Sequence, residues 1–185
     1  MKEANEPLRE DIIKIQQISI VPSLLDIICR VTGMGFAAVA RVTEHEWIAC
    51  SVRDTINFGL EPGGQLDVTS TICNEIRESR KIVVFDNADK DPLYKDHHTP
   101  LAYRIKSYIS VPVYATDGSF FGTLCAVDPE PKRINVPHII ALFERFSELI
   151  TFHFQALEDS LNAREQLYQQ QVKGDVLEQR LRDQV

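Results

Sequence analysis

Two sets of side chains in this sequence are of types that do chemistry. Asp86, Asp89, Asp91 and Asp96 lead into His97 and His98 within one loop, the residue types used in acid–base work. Four cysteines, Cys29, Cys50, Cys73 and Cys125, lie far apart along the chain. The acidic loop reads as solvated surface, because adjacent histidines project in different directions and polar loops ordinarily face water. No two cysteines form Cys-x-x-Cys, and none stands beside a histidine at zinc-site spacing, so no metal centre is expected. Each cysteine sits in an apolar run, where a reduced thiol packs as a small hydrophobe. Cys50 or Cys73 would be a nucleophile only if exposed and flanked by positive charge, and neither has an adjacent cation. No catalytic residue is assigned, and the chain is not read as an enzyme.

Composition narrows the partners. Over 185 residues, 20 basic side chains face 27 acidic ones, for a net charge of −7. That balance, with no run of Lys or Arg, argues against nucleic acid and against an anionic membrane surface. No apolar stretch approaches the roughly 18 residues of a spanning helix. The first residues are too acidic and polar for a signal peptide, so a cytoplasmic location is expected.

The elements that must position these groups follow from periodicity. Leu8 to Gln17 has apolar residues at helical spacing, and a second helix runs from Pro22 or Ser23 to Val31, ended by Gly33. Residues 36–43 and 47–52 alternate as a hairpin, and 54–65 read as loop. Asp67, Thr69 or Ser70 can cap a helix through Ile76 to about Ser79. Ile82 to Phe85 reads as a short strand, followed by a polar loop to Thr99 with one helical turn at 91–95. Pro100 to Lys106 reads as a short helix. Residues 108–114 and 120–128 form a second hairpin closed at Asp117-Gly118, with Pro112 marking an edge or a bulge.

A last helix begins near Val136. Phe154, Leu161 and Tyr168 recur every seven residues, with Ile150, Leu157, Arg164 and Gln171 at the paired position. The seam weakens at Gly174 and resumes at Leu177 and Leu181. A helix this long and polar cannot bury itself on one small domain, so pairing with a second copy in a parallel homodimer is expected. Ile150, Phe154, Leu157, Leu161, Arg164 and Tyr168 would form that interface. The pattern meets no stop signal at Val185, so an output domain following in a longer protein is expected.

Five segments carry a family resemblance: Gly33-Met-Gly-Phe-Ala-Ala-Val-Ala-Arg-Val42, Ser70-Thr-Ile-Cys-Asn-Glu75, Ile82-Val-Val-Phe-Asp86, Ile105-Lys-Ser-Tyr-Ile-Ser-Val-Pro-Val113 and Asp117-Gly-Ser-Phe-Phe-Gly-Thr-Leu-Cys-Ala-Val-Asp128. With the element order, they make residues 22–155 resemble a GAF domain, in particular the sensory modules that precede bacterial histidine kinases. The resemblance implies an α+β fold, with a central antiparallel sheet of five to six strands flanked by helices and a long C-terminal coiled-coil signalling helix. Residues 1–20 would be a leader and helix, 21–155 the GAF domain and 156–185 the coiled-coil linker.

The resemblance also implies a pocket for a small ligand, bounded by loops 53–67 and 86–106. By placement it would be lined by Trp47 or Cys50, by Phe85 and Asp86, by Tyr94, His97, Tyr103 and Lys106, and by Tyr108 and Ser110. Plain core filling is the competing role for each aromatic. Relatives that bind bilins carry a Cys-His pair where this chain has Lys95-Asp96-His97-His98, so a thioether there is excluded. Noncovalent bilin, or attachment through Cys50 or Cys73, stays open, as does reduction of free methionine sulfoxide and a pocketless dimerisation scaffold. The signature of cyclic-nucleotide GAF domains is missing, and the sequence names no cofactor. The implied function is a signal-transduction sensor of the two-component type, whose output domain would be a kinase.

Overall fold

In the computed structural model, which describes residues 6–182, three helices cover one face of a six-stranded antiparallel sheet and short elements cover the other. In chain order these are α1 (Glu6–Gln17), α2 (Val21–Thr32), β1 (Phe36–Val42), β2 (Trp47–Asp54), β3 (Gln65–Leu66), α3 (Ile72–Ser79), β4 (Val83–Phe85), α4 (His98–Tyr103), β5 (Ser107–Tyr114), β6 (Phe120–Asp128) and α5 (Pro137–Arg182). Single 3-10 turns occupy Val68–Ser70 and Ala88–Lys90. The sheet order is β3-β2-β1-β6-β5-β4. The first five residues of the leader and helix expected over 1–20, and the last three residues of the expected coiled coil, lie outside the described residues.

Apolar residues at helical spacing decide which way the helices face. Ile12 and Ile15 of α1, Leu25 and Ile28 of α2, and Phe143 and Ile150 of α5 are all buried against one side of the sheet. They meet the strand residues of one parity, among them Val39, Ile48, Ile109, Val111 and Leu124. Helix α2 stops at Gly33, whose φ of 69° lets its N–H bond back to the Cys29 carbonyl at 2.9 Å. Strands β1 and β6 run so close that a Cβ at Gly122 would sit 1.8 Å from the Ala40 carbonyl oxygen, which only glycine permits.

Several sequence expectations shift. The loop expected at 54–65 ends in β3, which pairs with the start of β2. The short helix near Pro100 begins at His98 and is capped at Arg104, in the left-handed region at φ 55°; Lys106 therefore lies outside it, in the bend that precedes β5. The turn expected at 91–95 is present, closed by Lys95 N–H to the Asp91 carbonyl at 3.0 Å. Pro112 lies beyond the three residues of β5 that pair with β4, so its missing N–H faces an open edge.

The seam assignment needs a correction. Ile150 is fully buried and Phe154 is 4% exposed, both in the core beneath α1 and the sheet, so neither can reach a second chain. Leu157 packs partly against the same core. Leu161, Arg164 and Tyr168 are exposed. The change of role comes at Glu158, whose carboxylate takes a hydrogen bond from Lys14 of α1 at 3.1 Å and from Thr116 of the β5–β6 turn at 2.6 Å. Among the described residues, no single helix is long and apolar enough to cross a membrane; α1 and α2 together approach that composition but meet at 75°.

Candidate functional site

The second sheet face carries the remaining strand parity. Cross-strand rows put Phe36, Val127, Tyr108 and Phe85 side by side, and next to them Ala38, Cys125 and Ser110. Helix α3 lays Ile72, Cys73 and Ile76 on this face. Helix α4 and the segment 56–60 close over it.

Helix α4 is held down by a set of polar contacts. Thr99 Oγ1 donates to the Ser70 carbonyl at 2.7 Å, and the Tyr103 and Ser70 hydroxyls are 2.6 Å apart. His98 Nε2 donates to the Thr69 carbonyl at 3.1 Å. His97 Nδ1 accepts the Thr99 N–H, which leaves Nε2 to carry the ring proton toward Glu75 Oε1 at 2.6 Å. These bonds latch α4 and its N-cap His97 to α3 and to the turn that leads into it.

Two spaces lie beside the latch. A groove of about 570 Å³ runs between residues 56–60, residues 102–105 and residues 127–129. A cavity of about 40 Å³ lies inside it, lined by Trp47, Cys73, Tyr108 and Cys125 among others. Phe58 and Tyr103, with ring centroids 6.3 Å apart, border both spaces.

The expected pocket residues divide into three groups. Trp47, Tyr103 and Tyr108 line the inner cavity. Phe85 and Tyr94 stack at 4.6 Å, and Phe85 lies 5.5 Å from Tyr108, so they form an aromatic column behind the cavity, which His97 extends outward. Burial raises the Tyr94 phenol above its ordinary value. Ser110 lies on the same face with its hydroxyl buried and unpartnered. Cys50, Asp86 and Lys106 are corrections. Cys50 points to the opposite face, among the α1 and α2 side chains, where burial pushes its thiol up to about 12. Asp86 Oδ1 accepts the N–H groups of Ile134 and Asn135 at 2.7 Å each, which anchors the chain ahead of α5. Lys106 reaches back to pair with Asp89.

Sequence reading missed Phe58, Thr123 and Cys125. Parity could have found the last two: a two-residue period along the β5–β6 hairpin places Tyr108, Ser110, Thr123 and Cys125 on one face. Cys73 gathers these groups. Thr123 Oγ1 donates to its sulfur at 3.2 Å and the Tyr108 hydroxyl lies 3.4 Å away. The Cys125 thiol, then Thr123, Tyr108 and Trp47, hold the Cys73 thiol below its ordinary range despite burial. The same contact with Cys73, followed by burial, raises Cys125. Among the described residues, no cluster of three or more His, Cys, Asp or Glu could hold a metal ion.

A family model described as GAF domain matches residues 18–153. No curated protein matches the chain by sequence. Bacteriophytochrome RpBphP3 from the photosynthetic bacterium R. palustris is similar in structure, with a TM-score of 0.65 at 10% identity over 94% of this chain. The chain spans 43% of the length of that bacteriophytochrome. Free methionine-R-sulfoxide reductase from Neisseria meningitidis, in complex with its substrate, aligns with a TM-score of 0.58 at 16% identity, over 77% of this chain and 80% of the reductase. A domain assigned to a two-component sensor histidine kinase protein of Sinorhizobium meliloti 1021 aligns with a TM-score of 0.56 at 13% identity, over 79% of this chain and 95% of that one. At these identities the likenesses concern fold.

Proposed function

The chain belongs to the GAF domain family, and from that premise we propose that it is a sensory module that binds a small molecule in the groove at Phe58 and Tyr103. The observation that carries this reading is the groove itself. Its volume of about 570 Å³ falls within the roughly 300–1,000 Å³ of small-molecule sites. Its walls are apolar at Phe58, Leu60, Tyr103, Ile105 and Val127, and Arg104 stands at its rim. That lining suits a flat apolar body with an acidic end, a pairing that arginine favours.

A ligand there acts on the latch. Tyr103 lines the groove and also bonds Ser70, so a ligand that displaces its ring selects the state in which α4 is released. The change passes to α5, whose exposed seam at Leu161 and Tyr168 pairs with a second copy in a parallel homodimer and carries the signal to a C-terminal output domain, a kinase by analogy. Two helix arrangements within a few kcal/mol and a ligand that distinguishes them are sufficient. The setting is cytoplasmic signal transduction of the two-component type.

Native mass spectrometry of the purified chain beside its denatured mass tests this reading. A mass increment lost on denaturation, and absent from Tyr103→Ala, supports it. A bare dimer from cells and from ligand-supplemented lysate removes the ligand and leaves a scaffold. A bare monomer removes the paired helix.

A further inference from the structure

A buried donor lines an apolar space with nothing to bond. Trp47 opens β2, paired with Leu66 of β3 and Val42 of β1, and is 3% exposed. Its indole N–H has no acceptor among the described residues. The side chain lines the inner cavity of about 40 Å³. The hydroxyls on that wall are engaged. Thr71 Oγ1 donates to the Val68 carbonyl at 2.8 Å, and Thr99 Oγ1 to the Ser70 carbonyl at 2.7 Å. The Tyr103 hydroxyl is 2.6 Å from that of Ser70, and the Tyr108 hydroxyl is 3.4 Å from the Cys73 sulfur. The Ser110 hydroxyl, also unpartnered, lies outside the cavity lining. A donor taken out of water and left unpaired is costly, so the position suits an occupant that brings the missing acceptor.

The chemistry of the wall narrows that occupant. A buried water ordinarily makes about three hydrogen bonds, and this wall offers one free side-chain donor. No Lys, Arg or His lines the cavity among the described residues, so an anion there would be buried without a counter-charge. A neutral acceptor on an apolar body remains: a carbonyl oxygen or a ring nitrogen. The cavity has room for the acceptor alone, and the body has somewhere to lie. Phe58, Leu60, Leu66, Tyr103, Ile105 and Val127 wall both the cavity and the outer groove of about 570 Å³. Arg104 lines the groove and not the cavity.

We propose that Trp47 anchors the inner end of a groove ligand: a flat, apolar carboxylic acid that carries a neutral carbonyl or ring-nitrogen acceptor at the end opposite its carboxylate. The acceptor passes Phe58 and Tyr103 and takes the indole N–H, the ring system lies in the groove, and the carboxylate meets Arg104 at the rim. The inference rests on the groove being a ligand site and adds what that ligand must carry. It also assigns a selectivity. An analogue of the same shape without the acceptor leaves the Trp47 donor unpaired and is disfavoured.

Trp47 is the single tryptophan of the chain, so its indole N–H gives one side-chain cross-peak in a proton–nitrogen correlation spectrum, read directly from the site. The probes are 4-acetylbenzoate and its isostere 4-isopropenylbenzoate, in which a methylidene group replaces the carbonyl oxygen. 4-Acetylbenzoate should move the indole proton downfield, as a new hydrogen bond does, together with the amides of residues 57–60 and 102–105. It should bind about tenfold more tightly than the isostere, because the donor it meets is already out of water. In Trp47→Phe the ring stays and the donor goes, so the two probes should bind equally. Equal affinities in the parent chain, an indole peak that stays in place, or no response to either probe overturns the proposal. If Trp47→Phe does not fold, the indole shift and the affinity ratio in the parent chain decide. Both probes moving the groove amides with equal affinity and a fixed indole peak leaves a ligand groove without its anchor. An indole shift with no movement at 57–60 and 102–105 keeps the Trp47 acceptor and removes the groove, so the two readings fail separately.

Discussion

The Tyr103 hydroxyl lies 2.6 Å from the Ser70 hydroxyl, and this contact ties the last residue of α4 to the turn that leads into α3. Tyr103 is also a wall of both the groove and the inner cavity. A residue that seals a space and holds its own lid couples occupancy to the position of α4.

Tyr103→Phe keeps the wall and removes that bond. The expected loss is about 1 kcal/mol of stability, the usual net worth of one partly buried hydrogen bond. Amide exchange should accelerate across residues 98–103 while the β6 amides stay protected. Equal protection of α4 in both proteins would show that Thr99 and the histidines hold the latch without Tyr103.

The two halves of the apparent seam on α5 should behave differently. Phe154→Ala empties a core site beside Phe121, whose ring is 5.2 Å away, and should cost about 3–5 kcal/mol of fold stability at any protein concentration. Leu161→Ala should leave that stability intact and weaken dimerisation, while Arg164→Leu with Gln171→Leu should strengthen it. Sedimentation equilibrium gives the dimer constant; a value unmoved by the leucine pair would remove Arg164 and Gln171 from the interface.

Stability should fall on the alkaline side. Burial holds Cys50 at about 12 and Cys29 at about 11, against an ordinary value of 9.0. Between those values the unfolded chain releases protons that the folded chain keeps, so unfolding gains as pH rises. The full contribution is present below about pH 9. Above it, each thiol removes up to about 1.4 kcal/mol per pH unit. Urea titrations should show this decline, and Cys50→Ala should lessen it while the Cys29 share remains. A flat profile from about pH 9 to about pH 11 in the parent chain would contradict the burial of both thiols.

Gly122→Ala should be the least tolerated of these changes. The new Cβ would meet the Ala40 carbonyl oxygen at 1.8 Å, and neither backbone can retreat without breaking the β1–β6 ladder. Overpacking ordinarily costs about 1–3 kcal/mol, and a backbone clash exceeds that range. A thermal midpoint close to the parent's would mean that β1 and β6 are less tightly paired than described.

Much of the architecture is legible locally. Helical spacing in α1 and α2, the Asp117-Gly118 turn and the strand alternation each encode one element through its neighbours in sequence, and the order of elements then points to the family. The candidate site was half legible. Tyr103, Tyr108 and Trp47 line the inner cavity, but Cys50 does not join Trp47 there, because the two differ in parity and face opposite sides of the sheet. Asp86 read as a pocket carboxylate because nothing in sequence announces the N–H groups of Ile134 and Asn135, 48 and 49 residues away.

The sequence by itself determined which residues alternate, which helix faces are apolar and where turns must fall, since those depend on side-chain size, polarity and backbone freedom over a few residues. Only the tertiary structure decided which faces meet. Ile150 and Phe154 continue a heptad pattern on paper, yet the sheet and α1 take them into the core, because a nearby apolar surface is buried before a distant copy can compete for it. The sulfur of Cys73 came to lie against Thr123, 50 residues further along the chain, by the same docking of α3 on β6.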